Sequence, residues 1–139
     1  MTEEAGFNTQ PPRRHRGAAI GDFNHDGKLD IVVTALSAPA ELWINDTHDG
    51  NHWLELALEG TKSNRDAIGA RIRVVAGGQT RFDCVSRASG YASSSAAPVH
   101  FGLGRARMAD EIEIRWPSGI VQKLRNLEGD RIIHVKESQ

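Results

Sequence analysis

The chain has 139 residues, enough for one ordinary domain or one small domain with an appendage. Its 17 basic and 18 acidic residues nearly cancel, which removes any general electrostatic drive toward nucleic acid or an anionic membrane. A hydrophobic fraction of 39% with 25% charged residues fits a soluble globular domain, and no apolar run approaches the roughly 20 residues that span a bilayer.

Residues 1–16 are polar, carry Pro11-Pro12-Arg13-Arg14, and read as a flexible or extended lead-in. Met1-Thr2-Glu3-Glu4 lacks the basic start and apolar core of a signal peptide, so an export signal is expected upstream of this sequence. Three short strand candidates follow at 17–21, 30–36 and 41–45. Between the first two lies Asp22-Phe23-Asn24-His25-Asp26-Gly27-Lys28-Leu29-Asp30. Alternate residues of a tight loop can aim side chains at one centre, and Gly27 sits where the chain must turn. Hard cations such as Ca²⁺ want oxygen ligands. The spacing assigns Asp22, Asn24 and Asp26 as side-chain ligands, Lys28 as a backbone-carbonyl ligand and Asp30 as the closing carboxylate. An EF-hand would need a glutamate at the twelfth loop position, but Val33 stands there, inside the apolar run Ile31-Val32-Val33. The loop therefore leads into a strand. An ordinary turn needs only two or three Asn, Asp or Gly residues, fewer than are found here.

A second loop, residues 45–51, marks a boundary; its Asn45-Asp46-Thr47 fits a glycosylation sequon, which carries no meaning in a bacterial protein. From His52 the pattern changes to longer alternating segments. Leu54, Leu56 and Leu58 share one face; Trp53, Glu55 and Ala57 share the other. Ile72 and Val74 alternate with Arg71 and Arg73, and Phe82 and Cys84 with Arg81 and Asp83. Val99, Phe101 and Leu103 follow, then Ile112, Ile114 and Trp116, then segments 120–125 and 131–136. Period-two alternation marks half-buried strands, and seven at short spacing predict an antiparallel β-sandwich or barrel. Gly77-Gly78 and Pro117-Ser118-Gly119 read as tight turns within it. Residues 105–110 allow one helical turn at most. The expected core contains Leu54, Leu56, Ile72, Val74, Phe82, Phe101, Ile112 and Ile114.

Catalytic chemistry finds little support. Cys84 is the only cysteine, so no internal disulfide forms. A Cys84 nucleophile with His100 or His134 as base is the available enzyme constellation. Against it, Cys84 shares a face with Phe82 and reads as a small core residue, while His100 falls opposite Val99 and Phe101 and reads as solvent-facing. Ser93-Ser94-Ser95 lacks the glycine-flanked elbow of serine hydrolases. Asn64, Arg65 and Asp66 could bind an anion or a sugar hydroxyl, or could hold their own loop. Tyr91, between Gly90 and small residues, is a candidate for an exposed aromatic contact, whereas Trp116 joins Ile112 and Ile114 on the apolar face.

Two stretches carry a family resemblance. The segment Gly17 to Val33, with its Asp22–Asp30 loop, resembles an FG-GAP (VCBS) repeat, the unit of β-propeller blades in integrin α-subunits and many bacterial surface proteins. Residues 60–70 (Gly60-Thr61-Lys62-Ser63-Asn64-Arg65-Asp66-Ala67-Ile68-Gly69-Ala70), Gly90-Tyr91-Ala92-Ser93-Ser94-Ser95, His100-Phe101-Gly102-Leu103-Gly104 and Arg115-Trp116-Pro117-Ser118-Gly119 resemble the UnbV/ASPIC domain. Proteins of this type, similar to the cartilage acidic protein family, carry several FG-GAP repeats before one C-terminal UnbV/ASPIC domain. The resemblance implies an all-β chain with a lead-in at 1–16, one calcium-loop repeat at 17–50 and an UnbV/ASPIC domain at 51–139. It implies Ca²⁺ as cofactor, upstream propeller repeats as neighbours, and an extracellular, cell-surface or periplasmic location. The function it implies is a non-catalytic module making protein or glycan contacts; the alternative is an accessory or catalytic domain acting on carbohydrate or a small molecule. Ile20, Ile31, Val33, Leu42 and Ile44 would be buried against neighbouring blades in a complete propeller. With those neighbours absent, the repeat is expected to pack against the C-terminal domain or another copy of the chain.

Overall fold

The first three strands, β1 (His15–Gly21), β2 (Asp30–Ala35) and β3 (Ala38–Trp43), form one antiparallel sheet in the order β1-β2-β3. The structure is a computed structural model that describes residues 12–88, 90–95 and 98–139. Most of the expected lead-in lies outside the described residues. Its last part does not hang free: Leu36 N donates to the Arg14 carbonyl at 3.0 Å, and Arg13 pairs with Glu41 at 2.9 Å. β3 starts earlier than the 41–45 expected because β2 and β3 join through the two-residue Leu36-Ser37 turn, with Ser37 at φ 56°. Pro39 is accommodated because β3 is a sheet edge, where a missing N–H breaks no ladder. Three strands make less than the usual four-stranded propeller blade.

The remaining seven strands match the seven alternating segments: β4 (His52–Glu59), β5 (Arg71–Ala76), β6 (Gln79–Cys84), β7 (Val99–Gly104), β8 (Met108–Arg115), β9 (Val121–Glu128) and β10 (Arg131–Lys136). They form two sheets, β10-β4-β7 and β6-β5-β8-β9. Leu54, Leu56, Phe101, Leu103 and Val135 from the first sheet meet Ile72, Val74, Ala76, Ile112 and Ile114 from the second in one buried cluster. The result is an open sandwich of facing sheets rather than a closed barrel. Gly77 and Gly78 join β5 to β6 with φ of 54° and 73°, the paired positive angles of a two-residue hairpin turn.

Three details refine or correct the expectation. β10 lies parallel to β4, whereas every other strand pairing among the described residues is antiparallel. Residues 105–110 form no helix: Ala106 N turns back to the Leu103 carbonyl, and β8 begins at Met108. Phe82 is 74% exposed and Cys84 is also exposed. Register explains this: Phe82 pairs with Arg73 and Cys84 with Arg71, while Arg81 pairs with the buried Val74. Opposed residues share a face. The apolar stripe of the edge strand β6 therefore points outward.

Glu137, directly after β10, organises the loop at 60–66. It is 2% exposed and accepts hydrogen bonds from the backbone N–H groups of Thr61, Lys62 and Ser63 at 2.7, 2.8 and 2.8 Å, and from the Ser63 and Ser118 hydroxyls. Burial pushes its carboxyl up, but the donors on Ser118, Ser63 and Thr61 outweigh that and hold it down at about 2. A lowered folded value stabilises the fold in full above the ordinary glutamate range and loses that stabilisation as pH falls toward 2. Glu137→Gln is therefore expected to flatten the acid limb of the stability profile below the ordinary value of 4.5, measured as denaturant midpoint against pH. An unchanged slope between wild type and variant would contradict this role.

Candidate metal site between the repeat and the C-terminal domain

The loop between β1 and β2 curls around its own first carboxylate. Asp22 Oδ1 accepts from Asp26 N at 3.1 Å and Oδ2 from Gly27 N at 2.7 Å. Asn24 Oδ1 also faces Asp26 N, at 3.3 Å, and Asp26 Oδ1 accepts from Lys28 N at 2.9 Å. The Lys28 N–H, joined by Asn24 and the Lys28 ammonium, lowers the Asp26 carboxyl against the opposing effect of burial. Positive φ at His25 (59°) and Gly27 (83°) makes the tight wrap possible.

Asp30, at the start of β2, is completely buried. Its Oδ2 accepts from Phe23 N at 3.0 Å and its Oδ1 from Asn45 N at 2.8 Å, so one carboxylate ties the loop entrance to the end of the repeat. No basic side chain among the described residues pairs with it. A buried carboxylate without a counter-charge is unfavourable unless something positive joins it. The donors in this loop are oxygens, as a hard cation requires, and in kind they fit calcium. In this conformation Lys28 Nζ sits 3.3 Å from Asp26 Oδ2, where it supplies part of the compensating charge. No three His, Cys, Asp or Glu side chains among the described residues converge as a metal-holding group.

The loop does not stand free in solvent. Gly27 lies against the indole of Trp53: an added Cβ would fall 1.9 Å from Trp53 Nε1. His100 Nε2 lies 2.8 Å from the Gly27 carbonyl, to which its ring N–H donates. Trp53 and His100 stack with ring centroids 6.2 Å apart and planes 9° from parallel. These residues stand on the outer face of the β10-β4-β7 sheet, the face that turns away from the core. His100 is therefore half-buried under the repeat rather than solvent-facing. Glu55 shares this face and is 2% exposed. Burial raises its carboxyl, with the charge of Asp22 adding to the rise and His100 and His25 opposing it.

A second set of contacts covers the open edge of the repeat. Ala18 N donates to Ser93 Oγ at 3.0 Å and Ile20 N to Ser95 Oγ at 3.4 Å. Alternate N–H groups of an edge strand point outward, and hydroxyls two residues apart meet them. The serine run thus has a docking role that its composition does not announce. The repeat packs onto its own C-terminal domain, while Ile20, Leu42 and Ile44 remain 52%, 55% and 47% exposed. Beside the seam opens a cleft of about 800 Å³ lined by Asp26, Lys28, His52, Trp53, His100 and Asp130, among others. His52 Nδ1 and Asp130 Oδ2 are 2.7 Å apart there.

The other candidate ligand residues do not join this site. Asn64 spends its amide on its own loop, donating to the Ile68 carbonyl at 2.9 Å and accepting from Ile68 N at 2.8 Å. The Arg65 carbonyl accepts from Gly60 N, and Asp66 pairs with Arg87 at 3.0 Å. Tyr91 is 75% exposed. None of the four lines the cleft beside the metal loop. Cys84, on the outer face of the four-stranded sheet, is separated by the whole sandwich from His100 and His134 on the outer face of the other.

The family model described as ASPIC and UnbV matches residues 60–139, more than half of the chain. The chain belongs to the UnbV/ASPIC family. The FG-GAP repeat model matches residues 16–53, so the Asp22–Asp30 loop lies inside a recognised repeat. Cartilage acidic protein 1 of Xenopus tropicalis is 28% identical over 131 residues, covering 90% of this chain and 20% of that protein. The mouse and human proteins of the same name are each 28% identical over 116 residues, covering 79% of this chain and 17% of theirs. The chain therefore spans about a fifth of the length of these relatives. Among the described residues, no helix is long and apolar enough to cross a membrane. The UnbV/ASPIC match thus covers β5–β10 of the sandwich, and the FG-GAP match covers the small sheet of β1–β3 seated on the sandwich's outer face.

Proposed function

We propose that this chain is a calcium-stabilised, non-catalytic β module of an extracellular protein, with a role in protein or glycan contacts. The observation that carries the reading is the fully buried, cation-free Asp30 at the end of an oxygen-rich loop already wrapped on Asp22. Asp22, Asn24, Asp26 and Asp30 would hold the ion with their side chains and Lys28 with its carbonyl. Bound calcium supplies positive charge and a rigid centre; these residues orient the loop so that Gly27 presses on Trp53. The FG-GAP repeat and the cartilage acidic protein relatives support an extracellular setting. Exposed Tyr91 and the cleft beside the seam are the surfaces offered for contacts. Upstream repeats would cover the exposed apolar residues Ile20, Leu42 and Ile44.

Titration calorimetry with calcium in the millimolar range tests the reading, since extracellular sites often work at about 10⁻⁴–10⁻³ M. Binding heat and a raised melting temperature are expected for the wild type, and both should vanish in Asp30→Ala. No heat and no shift with the wild type would refute calcium binding.

A further inference from the structure

Four acids are buried among the described residues: Asp30, Glu55, Glu113 and Glu137. Three have clear partners. Asp30 takes the N–H groups of Phe23 and Asn45, Glu113 pairs with Lys123 at 3.0 Å and Arg115 at 2.8 Å, and Glu137 is ringed by hydroxyls and backbone N–H groups. Glu55 has neither a hydrogen bond nor an ion pair with any described residue, although it is 2% exposed. Its direction follows from strand pairing. Glu55 stands directly opposite His100 in the β4–β7 pair, so the two side chains share a face. His100 touches the Gly27 carbonyl, which places the oxygen-rich loop over that face and accounts for the burial of Glu55. The negative charge of Asp22 acts on Glu55 as well, raising its carboxyl alongside burial and against His100 and His25. Like charges that act on one another repel, and a cation near both would relieve that.

We propose that Glu55 supplies an oxygen ligand from β4 of the C-terminal sandwich to the divalent cation held by Asp22, Asn24, Asp26 and Asp30, making the metal a bridge between repeat and sandwich. The inference rests on the calcium reading above and extends it across the seam. It assigns a purpose to a buried carboxylate that the core does not need. It also accounts for why the metal loop is pressed onto β4 rather than facing solvent.

The test uses the full chain and two probes, Ca²⁺ by calorimetry and Eu³⁺ by luminescence lifetimes in H₂O and D₂O, which count coordinated water. Glu55→Gln keeps the shape and removes the charge. It is expected to weaken Ca²⁺ by roughly tenfold or more and to add about one water to bound Eu³⁺. Calcium-dependent protection of the loop against proteolysis should fall in parallel. Glu55→Asp, which keeps the charge on a shorter arm, should also bind more weakly and admit water; it serves as the measurement if the glutamine variant does not fold. Calcium binding by the wild type with unchanged affinity and unchanged water count in the folded variant overturns the role of Glu55 alone. No binding by the wild type overturns the calcium reading and this inference together.

Discussion

Replacing Phe101 by alanine is expected to destabilise the UnbV/ASPIC domain by about 3–5 kcal/mol. Phe101 is 3% exposed, lies on β7 opposite Leu54, and belongs to the cluster that joins the two sheets. Removing the ring leaves a cavity between sheets whose strands are fixed by their ladders, so little collapse can fill it. Equilibrium urea unfolding measures the loss. Phe82→Ala is the matched control: the same side chain, in a segment with the same alternation, but 74% exposed on the outer face. That variant should stay within about 0.5 kcal/mol of wild type. Equal losses in the two variants would show that the register of β6 is wrong.

The second large effect is expected at Gly27. Alanine there meets two obstacles, a φ of 83° and a Cβ position 1.9 Å from Trp53 Nε1. The backbone conformation alone is worth about 1–3 kcal/mol of strain for a residue with a Cβ. The indole has no easy retreat, because its ring stacks on His100, which is itself held to the Gly27 carbonyl. Gly27→Ala should therefore lift the loop off β4. Faster proteolytic trimming within residues 17–45 is expected, with the sandwich of β4–β10 still folded by far-UV circular dichroism. Calcium affinity should fall with it. Unchanged protection would mean that the serine contacts at Ala18 and Ile20 alone seat the repeat.

Much of this architecture was legible before any coordinates. Ten strand candidates stand out because period-two alternation and Gly, Pro and Asp punctuation are local signals, and each corresponds to a strand. The tight Asp22–Asp30 loop was equally legible, since its oxygen-bearing side chains and the turning glycine lie within nine consecutive residues. Alternation pairs Phe82 with Cys84 and Trp53 with Glu55, but it states only that two residues share a face, never which face meets the core. For β4, β5 and β8, the strongly apolar stripe settles that question. For the edge strand β6, pairing of Phe82 with Arg73 settles it the other way.

The sequence by itself determined the all-β class, the strand segments, the tight turn of the Asp22–Asp30 loop and the family. Only the tertiary structure decided the parallel place of β10, the outward turn of Phe82, the burial of Glu137 beneath residues 60–66, and the seat of the repeat on Trp53, Glu55 and His100. The physical reason is range. Alternation, turns and ligand spacing act between neighbours in the chain, whereas His100 and Gly27 are 73 residues apart and Glu137 and Ser63 are 74 apart. Such contacts exist only after the two sheets have closed on one core, and the second face of β4 is buried only because the repeat then lands on it.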